Sequence, residues 1–494
     1  LADCGAKVVI CLDRVYETVA KVKKNTAIEH VITTSLVDYL PRLDQLKLRL
    51  PVARARKARA EIAAVLPKGA AVKDFGALLK GAAAGAGLLG ATGLLAACGS
   101  GGSSTGAGSD ATGPLSFGSN QSDATPRKAY EAMVAGFNDP AIQITTNTID
   151  HNTFQENINN YLQGKPDDVF TWFSGNRMRF FAKQGLVGDI SDVWSGINMS
   201  DSFKAASTSD DGKQYFVPIY NYPWAVFYRK SVFAAKGYTV PKTLDEFKTL
   251  GAQMKKDGMA PIGFADKDGW PAMGTFDILN MRTNGYEFHI NLMAGKESWE
   301  DKKVKDVFDN WKQMLPYQSP NALGLTWQEG AQLLGEGKAG MYLLGSFVTQ
   351  QFTDATVLAD IDFFPFPEIA EEGMTAVEAP IDGLMLSKKG GSNPAAKAFL
   401  EFMGTPAGQQ AYFSVDKSNL MTAKGADTSG YSDFNKKLAD VISKAKSVSQ
   451  FFDRDALPAM ANNVMIPALQ GFLKDGTIDT ANLEAQAKAL YAAQ

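Results

Sequence analysis

The chain has 494 residues, a hydrophobic share of 45%, a charged share of 21% and a formal net charge of −3, a composition that excludes a disordered or predominantly membrane-embedded protein. The charge is uneven: residues 1–80 hold 15 Lys and Arg against 8 Asp and Glu, a formal +7 that leaves −10 on the remainder. An acidic main body excludes nucleic acid as its partner, because neutralising phosphates requires clustered Lys and Arg.

In chain order, residues 7–12 contain a continuous run that reads as a buried strand, 15–24 read as helix and 28–34 as a second strand. The opening is therefore an α/β fragment with a parallel sheet. Residues 1–13, with Leu46-Lys47-Leu48-Arg49-Leu50-Pro51 and Arg59-Ala60-Glu61, resemble long-chain acyl-CoA synthetases over about residues 1–75. That family's adenylation loop and later catalytic motifs do not follow, so no ligase activity is expected. Gly85-Ala86-Gly87-Leu88-Leu89-Gly90 matches a dinucleotide-loop spacing but lacks the strand before it and the acidic strand end after it.

Residues 76–98 read as a lipoprotein signal. The uncharged run 81–97 is 17 residues long, shorter than the roughly 20 a spanning helix needs. Leu95-Ala96-Ala97-Cys98 resembles a bacterial lipobox, which implies cleavage before Cys98 and a lipid anchor on it, outside the cytoplasmic membrane. Paired arginines of an export signal are replaced by Phe75-Gly76, and the first methionine is Met133, so the join near residues 72–80 reads as a fusion, a misassembly or a gene-calling error. Residues 99–113, rich in Gly and Ser, are expected to form a flexible tether.

From residue 114 onward the pattern alternates strand and helix. Strands are predicted at 115–118, 142–149 and 168–172, and a helix at 154–162. Another helix has Thr125 as N-cap, Pro126 in its first turn, and Tyr130, Met133, Val134 and Phe137 on one apolar face. Thr243-Leu244-Asp245-Glu246 reads as a capping box. Repeated β/α winding puts ligand-facing loops at the carboxyl ends of strands, here Gly118-Ser119-Asn120-Gln121 and Trp172-Phe173-Ser174-Gly175-Asn176.

Several stretches carry a second resemblance: Pro166-Asp167-Asp168-Val169-Phe170, Gly185-Leu186-Val187-Gly188-Asp189-Ile190, Asp211-Gly212-Lys213 through Pro218, and Pro241-Lys242-Thr243-Leu244-Asp245-Glu246-Phe247. Gly337-Lys338-Ala339-Gly340-Met341 and Ala398-Phe399-Leu400-Glu401-Phe402-Met403 continue it. Together and in this order, residues 115–494 resemble the carbohydrate-binding lipoproteins of bacterial ABC importers, the class related to maltose-binding protein. The resemblance implies an α/β fold of two lobes joined by a hinge over 114–494, a sugar held between the lobes, an ABC permease as partner, no enzymatic activity and a monomer. A crossing between lobes is expected over 218–224 and another after 337–341, toward Gly345.

A pyranose presents apolar C–H faces and a rim of hydroxyls, so its site needs flat rings beside amides and charged groups. Candidate rings are Trp172, Tyr220, Tyr222, Trp224, Trp270, Trp327 and Phe347; candidate polar partners are Asn120, Gln121, Asn176, Asp268, Ser346, Asp382, Asp453 and Arg454. Competing readings remain for some: hinge packing for Tyr220 and Tyr222, a turn for Asp382, a surface salt bridge for Asp453 and Arg454. Trp194, Trp299 and Trp311 read as core or surface. His30, His151 and His289 lack ligand spacing, and no metal or cofactor is expected. Paired carboxylates leave a glycoside hydrolase as one alternative, and a sugar-sensing lipoprotein without transport as another.

Overall fold

The computed structural model describes residues 112–493 and, before them, residues 8–12, 19, 30–34 and 72–74. In the unit Leu1–Gly106, β1 (Val8–Leu12), β2 (His30–Thr34) and β3 (Val72–Asp74) form a parallel sheet in that order. The first two strands pair as the apolar runs predict, and the third extends the sheet. Of the helix expected over 15–24 only Val19 is described, as helical and buried. The signal-like segment with Cys98, the tether up to residue 111 and the remaining synthetase-like stretches lie outside the described residues.

The second unit begins with β/α winding. β4 (Gly113–Ser119), α1 (Ala124–Phe137), β5 (Ile142–Thr148), α2 (His151–Gln163), β6 (Val169–Phe173) and α3 (Asn176–Lys183) follow one another, and β4 pairs in parallel with both β5 and β6. Apolar spacing dictates the packing: Ala129, Tyr130 and Met133 of α1 are buried, with Tyr130 against Phe117 of β4. The N-cap, however, is Asp123, not Thr125. Thr125 lies inside the first turn and donates Oγ1 to the Gln350 carbonyl at 3.2 Å.

The chain leaves this lobe between β7 (Val217–Asn221) and β8 (Trp224–Arg229), which belong to different sheets. The first crossing is thus where the sequence puts it, at Tyr222-Pro223. The second lobe holds α4 (Leu244–Lys256), β9 (Ala260–Ile262), α5 (Trp270–Met293), α6 (Trp327–Gly335), β10 (Ala339–Gly345) and β11 (Ile361–Phe364), with the sheet order β11-β8-β10-β9. Thr243 caps α4 by accepting from Glu246 N, while the Glu246 carboxylate accepts from Lys242 N instead of closing a reciprocal box. The full box forms at Thr326 and Glu329, at the start of α6.

The second crossing is not near Gly345. β10 remains in the second lobe, antiparallel to β8. The chain returns after β12 (Ala376–Glu378), and β13 (Ile381–Leu386) inserts antiparallel between β7 and β6 in the first lobe. The first-lobe sheet reads β14-β7-β13-β6-β4-β5, with β14 (Leu420–Met421) at its edge. A third crossing follows: β15 (Ser447–Ser449) pairs in parallel with β12, and the four-residue α7 (Phe452–Asp455) packs against both α3 and α5. Two of the three interlobe segments are therefore bonded to each other.

Candidate functional site

Between the lobes lies a cavity of about 150 Å³. Its aromatic wall comes from the second lobe and from the third crossing. Trp224 opens β8, Trp270 and Trp327 stand in the first turns of α5 and α6, Phe347 follows β10, and Phe451 precedes α7. These rings contact one another at angles: Trp224 meets Trp270 edge-on at 6.4 Å and 86°, and Trp327 meets Phe347 at 5.1 Å and 90°. Such tilted contacts are favoured by the ring quadrupoles and fix each ring's plane. Gly274, one turn along α5 from Trp270, lets the Trp224 ring lie directly on the helix backbone.

The opposite wall is polar and belongs mainly to the first lobe. Asn120, at the carboxyl end of β4, is fully buried; its backbone N–H donates to Thr171 Oγ1, which in turn donates to Asn120 Oδ1. That fixes the amide and leaves Nδ2 buried without a protein partner. Asp382 lies within β13, not in a turn. It accepts from Tyr222 at 3.1 Å and Tyr220 at 3.3 Å, and pairs with Arg454 at 2.9 Å. Burial holds both phenols well above their ordinary range, so they remain protonated donors. Burial also raises the Asp382 carboxyl, against the opposing pull of Arg454.

Asp453 and Arg454 are buried, which removes the surface salt bridge as their role. Asp453 pairs with Arg177 of α3 at 2.5 Å, and Arg454 lies over the Phe173 ring at 4.4 Å. Trp224 Nε1, Trp270 Nε1 and Asn419 Oδ1 are buried without a hydrogen-bond partner in the protein, and Asp453 Oδ1 and Arg454 Nε, which also lack one, face each other as an ion pair at 3.8 Å. Buried polar atoms are rarely left so, and all five belong to residues that line the cavity.

Of the residues named from sequence, the cavity brings together Asn120, Gln121, Tyr220, Tyr222, Trp224, Trp270, Trp327, Phe347, Asp382, Asp453 and Arg454. Trp172 is not among its lining: it sits in a core with Phe154, Phe170 and Phe181, and its Nε1 donates to the Arg177 carbonyl. Asn176 donates instead to the Asp455 carbonyl, Ser346 is fully buried outside the lining, and Asp268 faces Asn152 just beyond it. Trp194, Trp299 and Trp311 are core.

Sequence reasoning missed His151, Asp123, Gln328, Gln350, Asn419 and Phe451, which also line the cavity. His151 contacts the Asn120 carbonyl through Nδ1 at 3.3 Å. A carbonyl only accepts, so Nδ1 carries the proton, and with burial lowering the imidazole below its ordinary value Nε2 is left as an acceptor. Phe451 stands two residues before the candidate pair Asp453 and Arg454. Nothing in the sequence marks Asn419.

Residues 121–410 match the family of bacterial extracellular solute-binding proteins. The chain belongs to that family. An ABC transporter extracellular-binding protein of Pyrococcus horikoshii is 24% identical to this solute-binding protein over 319 residues, 64% of this chain and 69% of that protein. The solute receptor AcbH, reported with an exclusive preference for β-D-galactopyranose, is 46% identical with a TM-score of 0.74, over 76% of this chain and 99% of its own. A chitin oligosaccharide binding protein shares the fold at 22% identity and a TM-score of 0.68, over 77% and 98% of the two chains. The match begins at residue 121 and so gives no support to the synthetase resemblance of residues 1–75.

Proposed function

We propose that this solute-binding protein captures one pyranose of the galactose type outside the cytoplasmic membrane and delivers it, unaltered, to an ABC permease. The observation that carries the reading is the make-up of the cavity, whose lining combines indole and phenyl faces with buried donors and acceptors that lack a hydrogen-bond partner, the Trp224 and Trp270 indole nitrogens among them. Rings suit the C–H faces of a sugar and the polar atoms suit its hydroxyls. The 46% identity to a galactopyranose receptor supports the choice of sugar. Asn120, Asp382, Asp453 and Arg454 are assigned to the hydroxyls, and Trp224, Trp270 and Trp327 to the ring faces.

Hydrolysis is disfavoured by the same geometry. It needs one carboxyl group free as acid and another as base or nucleophile, whereas Asp382 is held by two tyrosines and an arginine, Asp453 by Arg177, Asp150 by Thr153 and Asp123 by Gln328. Calorimetric titration and thermal shift with D-galactose, D-glucose and D-xylose test the reading. A ligand at 100 times its Kd raises stability by about 2.7 kcal/mol. Galactose is expected to give the largest shift, and a response to a peptide or polyamine with none to any sugar overturns it. Anchoring through Cys98 is tested by fractionating cells that carry a precursor with a restored signal: Cys98→Ser is expected to leave the membrane fraction, and equal retention removes the lipid anchor.

A further inference from the structure

The mouth of the cavity is spanned by contacts between the lobes that leave the buried polar floor untouched. Asp123 occupies the N-cap position of α1, where an aspartate ordinarily accepts from the helix backbone, a contact worth about 1 kcal/mol. It makes no such bond. Its carboxylate instead accepts from Gln328 Nε2 on α6 of the other lobe, at 3.2 Å to Oδ2. Gln350, also of the second lobe, accepts from Thr125 through its carbonyl and reaches back with Nε2 to the buried Asp416 carboxylate at 2.8 Å. Asp123, Gln328 and Gln350 all line the cavity and are all half-exposed, so they stand where the floor gives way to solvent.

A second glycosidically linked ring that left the cavity between Asp123 and Gln328 would displace this contact. We propose that the Asp123–Gln328 pair determines chain-length specificity, limiting the ligand to one pyranose ring by occupying the space a second ring needs. This rests on the sugar-capture reading above. Asp123 forgoes its cap for the interlobe contact, so the pair biases the protein toward the closed state without adding to the stability of α1. A disaccharide breaks the pair and holds the lobes apart. The aromatic wall on one lobe and the polar wall on the other then cannot both reach the first ring, and the loss falls on affinity for the whole ligand.

The test is calorimetric titration of the wild type and of Asp123→Ala, Gln328→Ala and the double variant with D-galactose, lactose and melibiose. Wild type is expected to bind galactose at least 100-fold more tightly than either disaccharide. Each single variant is expected to lower that ratio at least tenfold, and the double variant no further, because the two residues form one contact. Asp123→Asn retains an acceptor for Gln328 and is expected to keep the wild-type ratio, which controls for damage to the fold. Wild type that binds a disaccharide within tenfold of galactose, or alanine variants that keep the wild-type ratio, overturns the gate and leaves sugar capture standing. Wild type that binds none of the three sugars overturns the capture reading, and the gate with it.

Discussion

Arg454 and Asp382 form a buried ion pair, 2.9 Å from Nη1 to Oδ1, that ties the third interlobe segment to the centre of the first lobe's sheet. The arginine also donates to Tyr222 Oη at 2.7 Å and to the Ile381 carbonyl at 3.2 Å, so its Nη groups are spent on structure, while Nε makes no hydrogen bond and lies 3.8 Å from Asp453 Oδ1. Removing one member of such a pair leaves a buried charge uncompensated, at a cost of about 3–5 kcal/mol. Arg454→Met is therefore expected to lose stability on that scale and to lose sugar binding altogether. Urea unfolding and titration of the same preparation check it, and a variant that unfolds at the wild-type midpoint would place the pair in solvent.

Ring position separates two tryptophans that look alike in the sequence. Trp270 is half-buried at the cavity, whereas Trp172 is 1% exposed in a core. Trp270→Ala is expected to weaken sugar binding by roughly 1–3 kcal/mol, by analogy with stacking of bases on aromatic rings, with little change in melting temperature. Trp172→Ala is expected to cost about 3–5 kcal/mol of stability. Melting and titration of both proteins give the comparison, and a large melting loss with unchanged affinity in Trp270→Ala moves that ring to the core.

Asp266 supplies a pH dependence. It is fully buried, accepts from Ala272 N through Oδ1 and has no partner for Oδ2. Burial pushes its carboxyl up from 3.8 to about 7. The folded state therefore holds this proton more tightly than the unfolded chain, and the group's contribution falls as pH rises from about 4 to 7. At about 1.4 kcal/mol per tenfold difference in proton affinity, the loss is on the order of 4 kcal/mol. Asp266→Asn keeps the acceptor for Ala272 and removes the charge, so its melting temperature is expected to exceed wild type increasingly between pH 4 and pH 8. A constant difference across that range would assign the effect elsewhere.

Much of this architecture was legible because the patterns that predict it are local. Apolar spacing at Tyr130 and Met133 marks the buried face of α1, and the polar strand end at Asn120 marks a loop that lines the cavity. What the sequence could not distinguish was partnership. Residues 339–345 read as a buried strand whichever lobe receives them, and only the pairing with β8 places β10 in the second lobe and moves the return crossing to β12 and β13. Trp172 lies outside the lining for a similar reason: it is the last residue but one of a strand near the cavity, and its side chain alternates away from the Phe173 face that lines it. The rim residues Asp123 and Gln328 are far apart in the chain and gain meaning only from the contact between them.

Gly274 offers the sharpest probe of the aromatic wall. It lies in α5, where glycine costs about 1 kcal/mol relative to alanine, so on helix propensity alone Gly274→Ala should stabilise the protein. A Cβ at this position would collide with the six-membered edge of the Trp224 indole, which rests on the helix there. That ring is 4% exposed and bounded by Trp270 and Phe451, so its open direction is the cavity it lines. Overpacking of this kind costs typically 1–3 kcal/mol, which cancels the gain in propensity and exceeds it by up to about 2 kcal/mol. The expected result is a modest change in melting temperature together with a loss of sugar affinity of tenfold or more, because the displaced ring takes up space meant for the ligand. Unchanged affinity in Gly274→Ala, measured by calorimetry beside Trp224→Phe, would mean that the Trp224 face does not carry the sugar and that Trp270 and Trp327 form the stacking wall without it.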